Sequence, residues 1–372
     1  MLVILVSEMA LCLEDETKAV VAGISSGGRV MVERPIVQLV IYDPIRGFLN
    51  WMQPRFIEHA KKQCPTTQCL ISEDKRLLHK ADMVIFHAPT HARGVRRFPP
   101  KAHVKSNAIY TLFSMEQPKY AKFLQNTVDV SKNFHLTATY SWKSTYPGTK
   151  PPVVNMPLTY YPLNIVPVEE VLKEPLPWEK KDGFGTGTSV VVFVSNCKAA
   201  GAAQRLQFLE ELMRLIPVHS YGSCLNNRKE PDFPVDPSWP NQRRARKVKI
   251  VSRYKFYLAF ENLAVPDYVS EKVFEGLFAG AVPVYMGAPE IEKFMPSPDS
   301  FINANGWSAQ QLAALLNKLS SEEHRSTYEK YFAFKKQELS PNFYDMASNS
   351  YCHPNILCRL CEYIAHNVSR SD

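Results

Sequence analysis

The densest chemistry in this chain lies between residues 260 and 287. Phe260-Glu261-Asn262 closes an apolar run, a loop turns through Pro266, and Asp267-Tyr268-Val269-Ser270-Glu271-Lys272 opens the next element. The pattern predicts a strand, a turn and then a helix over Tyr268–Ala279, with Asp267 as its N-cap. Backbone N–H groups and the helix dipole gather positive potential at such an N-terminus, and Lys272 adds a full charge there. Alone, Glu271 and Lys272 would describe an ordinary charged helix face. Combined with a strand-end Glu-Asn pair and a tyrosine they describe a site for an anion.

The elements that must hold this group are legible from apolar runs. Ile36–Tyr42, Cys69–Ser72, Met83–His87 and Ala108–Phe113 read as strands, with a helix around Arg55–Lys62. Val190–Ser195, Lys255–Phe260 and Ala281–Tyr285 read as strands of a second half. Ala202–Ile216 there is an amphipathic helix with Leu206, Leu209, Leu212 and Met213 on one side. Unalternating apolar strands are buried on both faces, which favours mostly parallel sheets between helices. Between the halves, residues 147–177 are rich in proline and predict an extended surface connector. The organisation expected is α/β, two Rossmann-like domains facing across a cleft. Residues 1–30 are unassigned, 31–146 form the first domain, 147–184 the linker, 185–345 the second domain and 346–372 a Cys-rich helical tail. Ligands of open α/β sheets sit at strand carboxyl ends, which is where Glu261 and Asn262 fall.

Composition excludes several classes. Hydrophobic residues at 45% and charged residues at 22% are those of a globular protein. The net charge of +8 is concentrated in Arg243, Arg244, Arg246, Lys247 and Lys249, a run with no interleaved aromatics. It reads as a solvated loop, with no nucleic acid as partner. The eight cysteines stand at 12, 64, 69, 197, 224, 352, 358 and 361. Cys358-Arg-Leu-Cys361 could be half of a zinc site completed by Cys64 and Cys69, but a disulfide framework fits better. Met1–Leu13 is apolar but too short to span a bilayer, and it has no basic flank or cleavage site.

Phe260-Glu-Asn, Asp267-Tyr-Val-Ser-Glu-Lys272 and Gly280-Ala-Val-Pro-Val284 together resemble the donor motif of the inverting α-1,3/4-fucosyltransferase family. Ser270 stands where that family usually has threonine. Ser195-Asn-Cys197 with Arg205-Leu, Ser220-Tyr-Gly222-x-Cys224, Ala288-Pro with Pro296-Ser-Pro-Asp-Ser300-Phe-Ile, and Cys358-x-x-Cys361 agree as well. The chain looks most similar to the plant-type Lewis enzymes. The resemblance is dense over 185–363 and thin before it. It implies a GT-B fold and transfer of L-fucose from GDP-fucose, with inversion, to a GlcNAc hydroxyl in α-1,4 or α-1,3 linkage, on an N-glycan or Lewis-type glycan of a glycoprotein. It also implies donor-binding roles for Arg205, Asn262, Tyr268, Glu271 and Lys272. Arg205 and Lys272 would neutralise the departing diphosphate, while Glu271 and Asn262 would hold fucose or ribose hydroxyls. Independently of the family, no Asp-x-Asp occurs to hold a divalent ion, so side chains must supply the cations. No metal is expected to be required, although one could stimulate. Glu116, at the end of the strand before Gln117-Pro118, matches the family's catalytic base imperfectly, since serine usually follows the glutamate. His87 and His91 are expected to be structural.

Chain spacing and compartment carry further expectations. Cys197 should pair with Cys224, and Cys64 and Cys69 with Cys358 and Cys361, leaving Cys12 and Cys352 unassigned. Asn367-Val-Ser369 is a glycosylation sequon. Family members are anchored in the Golgi membrane with a lumenal catalytic domain. No anchor is visible in this sequence, and the chain is expected to lack its original N-terminus. Two rival readings are a GT-B transferase using another nucleotide sugar and a glycan-binding pseudoenzyme.

Overall fold

The computed structural model describes residues 34–42, 64, 66–88, 98–119, 122–161, 168–198, 201–235, 242–350 and 355–368. The expected helix around Arg55–Lys62, together with His91, Cys12, Cys352 and residues 1–30, lies outside these. The chain divides into two compact units.

The first unit is built on a six-stranded sheet. Its strands are β1 (Ile36–Ile41), β2 (Gln68–Ser72), β3 (Met83–His87), β4 (Ile109–Ser114), β5 (Leu136–Thr139) and β6 (Val154–Pro157), in the order β2-β1-β3-β4-β5-β6. The pairings from β2 through β5 are parallel. Strand β3 is buried at every residue, as a central strand covered on both faces must be. Helix α1 (Thr127–Asn133) starts where the Asn126 side chain accepts the Asp129 N–H, and it contributes Val130 to the core.

The second unit carries β7 (Val190–Phe193), β8 (Val218–Tyr221), β9 (Phe256–Phe260), β10 (Val282–Met286) and β11 (Ile302–Asn303), ordered β11-β10-β9-β7-β8. Every pairing in this sheet is parallel. Helices α2 (Ala202–Leu215), α3 (Gln242–Val251), α4 (Glu271–Ala279) and α5 (Ala309–Ser320) belong to it. Val190 and Val192 pack with α2 and α5, whereas Val191 packs with α3 and α4, so the alternation of the strand divides the core into two layers. In both sheets the order reverses after the first strand, between β1 and β3 and between β7 and β9. Each sheet therefore has a switch point at the carboxyl ends of those strands.

Two expectations about local structure need correction. The basic run at 243–249 is not a solvated loop but most of α3, which buries Arg244, Ala245, Ile250 and Val251. The Pro-rich stretch is not a surface connector either. Its residues 154–157 form β6, and Val153, Asn155, Leu158 and Tyr161 are buried. Proline is tolerated there because β6 stands at the sheet edge, where a missing N–H breaks no ladder.

The C-terminal helix Asn355–Val368 belongs with the first unit, against β1 and β2. Disulfides Cys64–Cys358 and Cys69–Cys361 hold it there, with Cα–Cα distances of 5.2 and 5.8 Å. The expected pairing is found, and the zinc alternative falls because these four sulfurs are bonded to one another. Cys197–Cys224 is also bonded, joining the loops that follow β7 and β8. Among the described residues, no helix is long and apolar enough to cross a membrane.

Candidate active site

The switch point of the second sheet is occupied by a guanidinium. Arg205, in the second turn of α2, is only 4% exposed. Its Nη1 donates to the Phe260 carbonyl at 3.3 Å and its Nη2 to the Asn196 carbonyl at 3.1 Å. These carbonyls end β9 and follow β7, so one charge braces both sides of the crevice. Helix α2 reaches this position because Gly201 precedes it with φ +83°. A β-carbon there would fall 2.0 Å from the Asn262 carbonyl oxygen, which no other residue could accept. Asn262 itself is half-buried, and its backbone forms the wall facing α2.

The loop after β9 differs from the sequence expectation in a way that defines the site. Asp267 is not an N-cap. It takes a left-handed turn with φ +64°, and its carboxylate accepts the Trp142 N–H at 2.9 Å and the Ser141 hydroxyl at 3.3 Å. Its own N–H donates to the Glu290 carboxylate. Helix α4 starts later, at Glu271, with Ser270 at the cap position. Glu271 and Lys272 are thereby the first two residues of the helix rather than members of its second turn. Tyr268 lies before the helix and is buried, its ring edge-on to Tyr140 at 5.1 Å and to Tyr160 at 5.9 Å.

The Ser270 side chain caps no backbone N–H of the helix it precedes. Its hydroxyl and its N–H both go to Glu261, at 2.8 and 2.7 Å. Lys272 Nζ donates to Ser270 Oγ at 2.7 Å, to Glu261 Oε2 at 3.3 Å and to Glu271 Oε1 at 3.4 Å. The ammonium is thus fixed beside two carboxylates, with 15% of its side chain exposed.

Behind it, α3 and α4 share a buried ion cluster. Arg244 Nε meets Glu275 at 2.8 Å and Lys247 Nζ meets it at 2.6 Å, with the Glu275 side chain 2% exposed. One turn earlier, burial opposes charge on Glu271. Lys272, Lys247 and Arg244 outweigh it and hold the carboxyl down at about 2. The basic run therefore serves the interior between α3 and α4. Sequence reasoning passes over Arg244, Lys247 and Glu275 because their partnership joins positions some thirty apart.

Of the remaining expected residues, Glu116 stands in the first unit two positions beyond β4, half-buried, with its N–H donating to Ser114 Oγ at 3.1 Å. His87 ends β3 and is 8% exposed. Asn367 lies in the last turn of the C-terminal helix, its Nδ2 donating to the Tyr363 carbonyl at 2.7 Å. Among the described residues, no group of three or more His, Cys, Asp or Glu side chains could hold a metal ion.

Comparison with known proteins joins these features to a family. Residues 185–371 match the profile described as glycosyltransferase family 10 (fucosyltransferase) C-term, and residues 44–147 match that described as fucosyltransferase, N-terminal. The chain belongs to glycosyltransferase family 10. Within the family it is 30% identical over 285 residues to alpha-(1,3)-fucosyltransferase B of Drosophila melanogaster, covering 76% of this chain and 60% of that protein. It is 28% identical over 344 residues to GDP-fucose protein O-fucosyltransferase 3 of Gallus gallus, covering 87% and 67% respectively. The Homo sapiens protein of that name is 30% identical over 298 residues, covering 78% and 57%. The chain thus spans about three-fifths of the length of these relatives. The crystal structure of an alpha1,3-fucosyltransferase with GDP-fucose superposes with a TM-score of 0.54, covering 99% of this chain and 98% of that one at 16% identity. The fold of this family 10 member is accordingly GT-B, with two parallel-sheet α/β units.

Proposed function

We propose that this family 10 chain transfers L-fucose from GDP-fucose to a hydroxyl of a glycoprotein, with inversion. The observation that carries the reading is the charge at the second switch point. Arg205 is braced across the ends of β7 and β9, and Lys272 is fixed at the start of α4. A diphosphate leaving group gains negative charge as its glycosidic bond breaks, and cations already in place lower that barrier. Arg205 and Lys272 supply this charge from the chain itself, so no metal is required. Glu271 is kept anionic by three neighbouring cations, which suits it to accept hydrogen bonds from sugar hydroxyls rather than to donate protons. Asn262 and Tyr268 complete the donor side. Glu116, at a strand carboxyl end, is the general base that takes the acceptor proton as the sugar–oxygen bond forms. The disulfides and the Asn367 sequon suit a Golgi lumenal setting.

For the acceptor, the first reading is a GlcNAc hydroxyl in α-1,3 or α-1,4 linkage. A second is a serine or threonine hydroxyl of a protein, favoured by the extent of the match to relatives named GDP-fucose protein O-fucosyltransferase 3. One experiment separates these and tests the whole proposal. The protein is incubated with GDP-fucose, or with UDP-sugars and other GDP-sugars, alongside type 1, type 2 and N-glycan core acceptors and folded protein acceptors. EDTA is present or absent, and the product linkage is determined. Fucose transfer that survives EDTA is expected. Turnover only with another sugar, glycan binding without turnover, or activity lost in EDTA and restored by Mn²⁺ would refute the proposal.

A further inference from the structure

Glu261 is among the most thoroughly engaged carboxylates at the donor site, yet the proposed mechanism gives it nothing to do. Its side chain is 0% exposed. An isolated carboxylate at that depth would be strongly disfavoured, so its partners must compensate it. They are the Ser270 N–H on Oε1 at 2.7 Å, and the Ser270 hydroxyl and Lys272 ammonium on Oε2 at 2.8 and 3.3 Å.

The direction of the protons follows from valence alone. An ammonium can only donate, so at 2.7 Å the Ser270 oxygen must accept from Lys272. Its single proton then has one place to go, the carboxylate oxygen 2.8 Å away. The result is a relay of fixed polarity, from Lys272 to Ser270 to Glu261. A lysine side chain has many rotamers to choose from, and this relay holds the amine in one of them before any donor arrives. A charge fixed in advance stabilises a developing anion without reorganising at the moment of reaction.

We infer that Glu261 is a positioning residue which sets the Lys272 ammonium for the diphosphate by way of the Ser270 hydroxyl. The inference rests on the proposed donor site. Glu261→Gln is the informative change, because it keeps the shape and removes the polarity. With its amide nitrogen toward Ser270 Oγ, glutamine makes that oxygen an acceptor twice over and leaves the hydroxyl proton without a partner in a site that is 2% exposed. With the amide reversed, its nitrogen faces the Ser270 N–H, donor against donor. In the first orientation Lys272 loses its acceptor on Glu261; in the second it keeps the contact but meets a neutral oxygen in place of a charged one, so its hold weakens in both.

The test is a double-mutant cycle in GDP-fucose kinetics, with GDP binding measured by calorimetry in the same proteins. Glu261→Gln is expected to lower kcat/KM on the order of 10–100-fold, the scale on which outer partners act on the groups they orient. Lys272→Met should lose at least as much, and adding Glu261→Gln to it should change kcat/KM by less than about threefold. Losses that multiply in the double variant would overturn the inference, because Glu261 would then act independently of Lys272. Should Glu261→Gln fail to fold, Ser270→Ala cuts the same relay and leaves the carboxylate in place. Ser270→Ala must then be non-additive with Lys272→Met, and Ser270→Thr must recover most of what it loses. A wild-type protein that binds no GDP would overturn the donor-site reading and this inference with it. A wild type that binds GDP while the variants multiply overturns the inference alone.

Discussion

Removing the Glu275 carboxylate should destabilise the second unit far more than it alters any surface. Arg244 and Lys247 converge on this one group, with 2% of the Glu275 side chain, 5% of Arg244 and 19% of Lys247 exposed. Glu275→Leu leaves both cations in the interior with their closest counter-ion gone. Breaking a buried pair from one side costs about 3–5 kcal/mol, because the stranded charge loses its direct partner without regaining water. A unit of this size shifts its melting temperature by about 2–4 °C per kcal/mol, so a fall of about 6–20 °C is expected. The measurement is thermal or urea unfolding of the intact protein under oxidising conditions, at matched ionic strength. A companion variant sharpens it. Arg244→Met, Lys247→Met and Glu275→Leu together remove these three charges while Glu271 keeps Lys272, and stability should recover above that of Glu275→Leu. The reasoning fails if Glu275→Leu melts within about 2 °C of wild type, or if the triple variant is less stable than the single one.

Three further outcomes are expected. Glu116→Gln should reduce transfer by about 10²–10⁴-fold while GDP affinity stays within a few-fold, and a variant retaining half its turnover would remove Glu116 as the base. Lys181 and Lys335 donate to the Gly280 and Leu277 carbonyls at the end of α4, and burial pulls their amines down to about 7 and about 8 respectively. The unfolded chain keeps these protons to about pH 10.4, so between those limits it binds more protons than the folded state and stability must rise with pH. Melting temperature should therefore climb from about pH 6.5 to pH 9, less steeply in Lys181→Met, and a flat profile would refute the assignment. Reducing Cys197–Cys224, whose ends are 27 residues apart, should cost about 3–4 kcal/mol in the chain-entropy model. Cys197→Ala/Cys224→Ala melting at the wild-type temperature would show that the bridge does not hold the loops beside Arg205.

What can be read in advance divides along physical lines. Central strands such as β3 and β9 are buried on both faces, so they leave unbroken apolar runs that composition alone reveals. The loop after β9 is legible because its charged and polar groups are near neighbours in the chain. Strand β5 is not, since its Leu-Thr-Ala-Thr is buried only by virtue of Asn155, which accepts from both Thr137 and Thr139 at 2.8 Å. Helix α3 escapes notice for the same reason. A run of Arg and Lys is indistinguishable from a solvated face until Glu275 arrives from another segment. Asp267 misleads differently. It has the composition of an N-cap, but a left-handed turn with φ +64° sends its carboxylate to Ser141 and Trp142 instead. The helix start then moves three residues downstream of Tyr268, and with it the geometry of Glu271 and Lys272.

The bonds from Cys64 and Cys69 to the last helix span sequence separations of 294 and 292. A ribosome delivers β1 and β2 long before it delivers Cys358 and Cys361. During synthesis the flank of the first sheet that this helix covers therefore stays open, while two thiols wait on it within five residues of each other. Cys197 and Cys224 emerge in the interval and meet those thiols before the rightful partners exist. The first sheet thus depends on a helix made nearly three hundred residues later. Any early pairing among these thiols must be undone before the helix docks, and deleting that helix would uncover the flank of the first sheet.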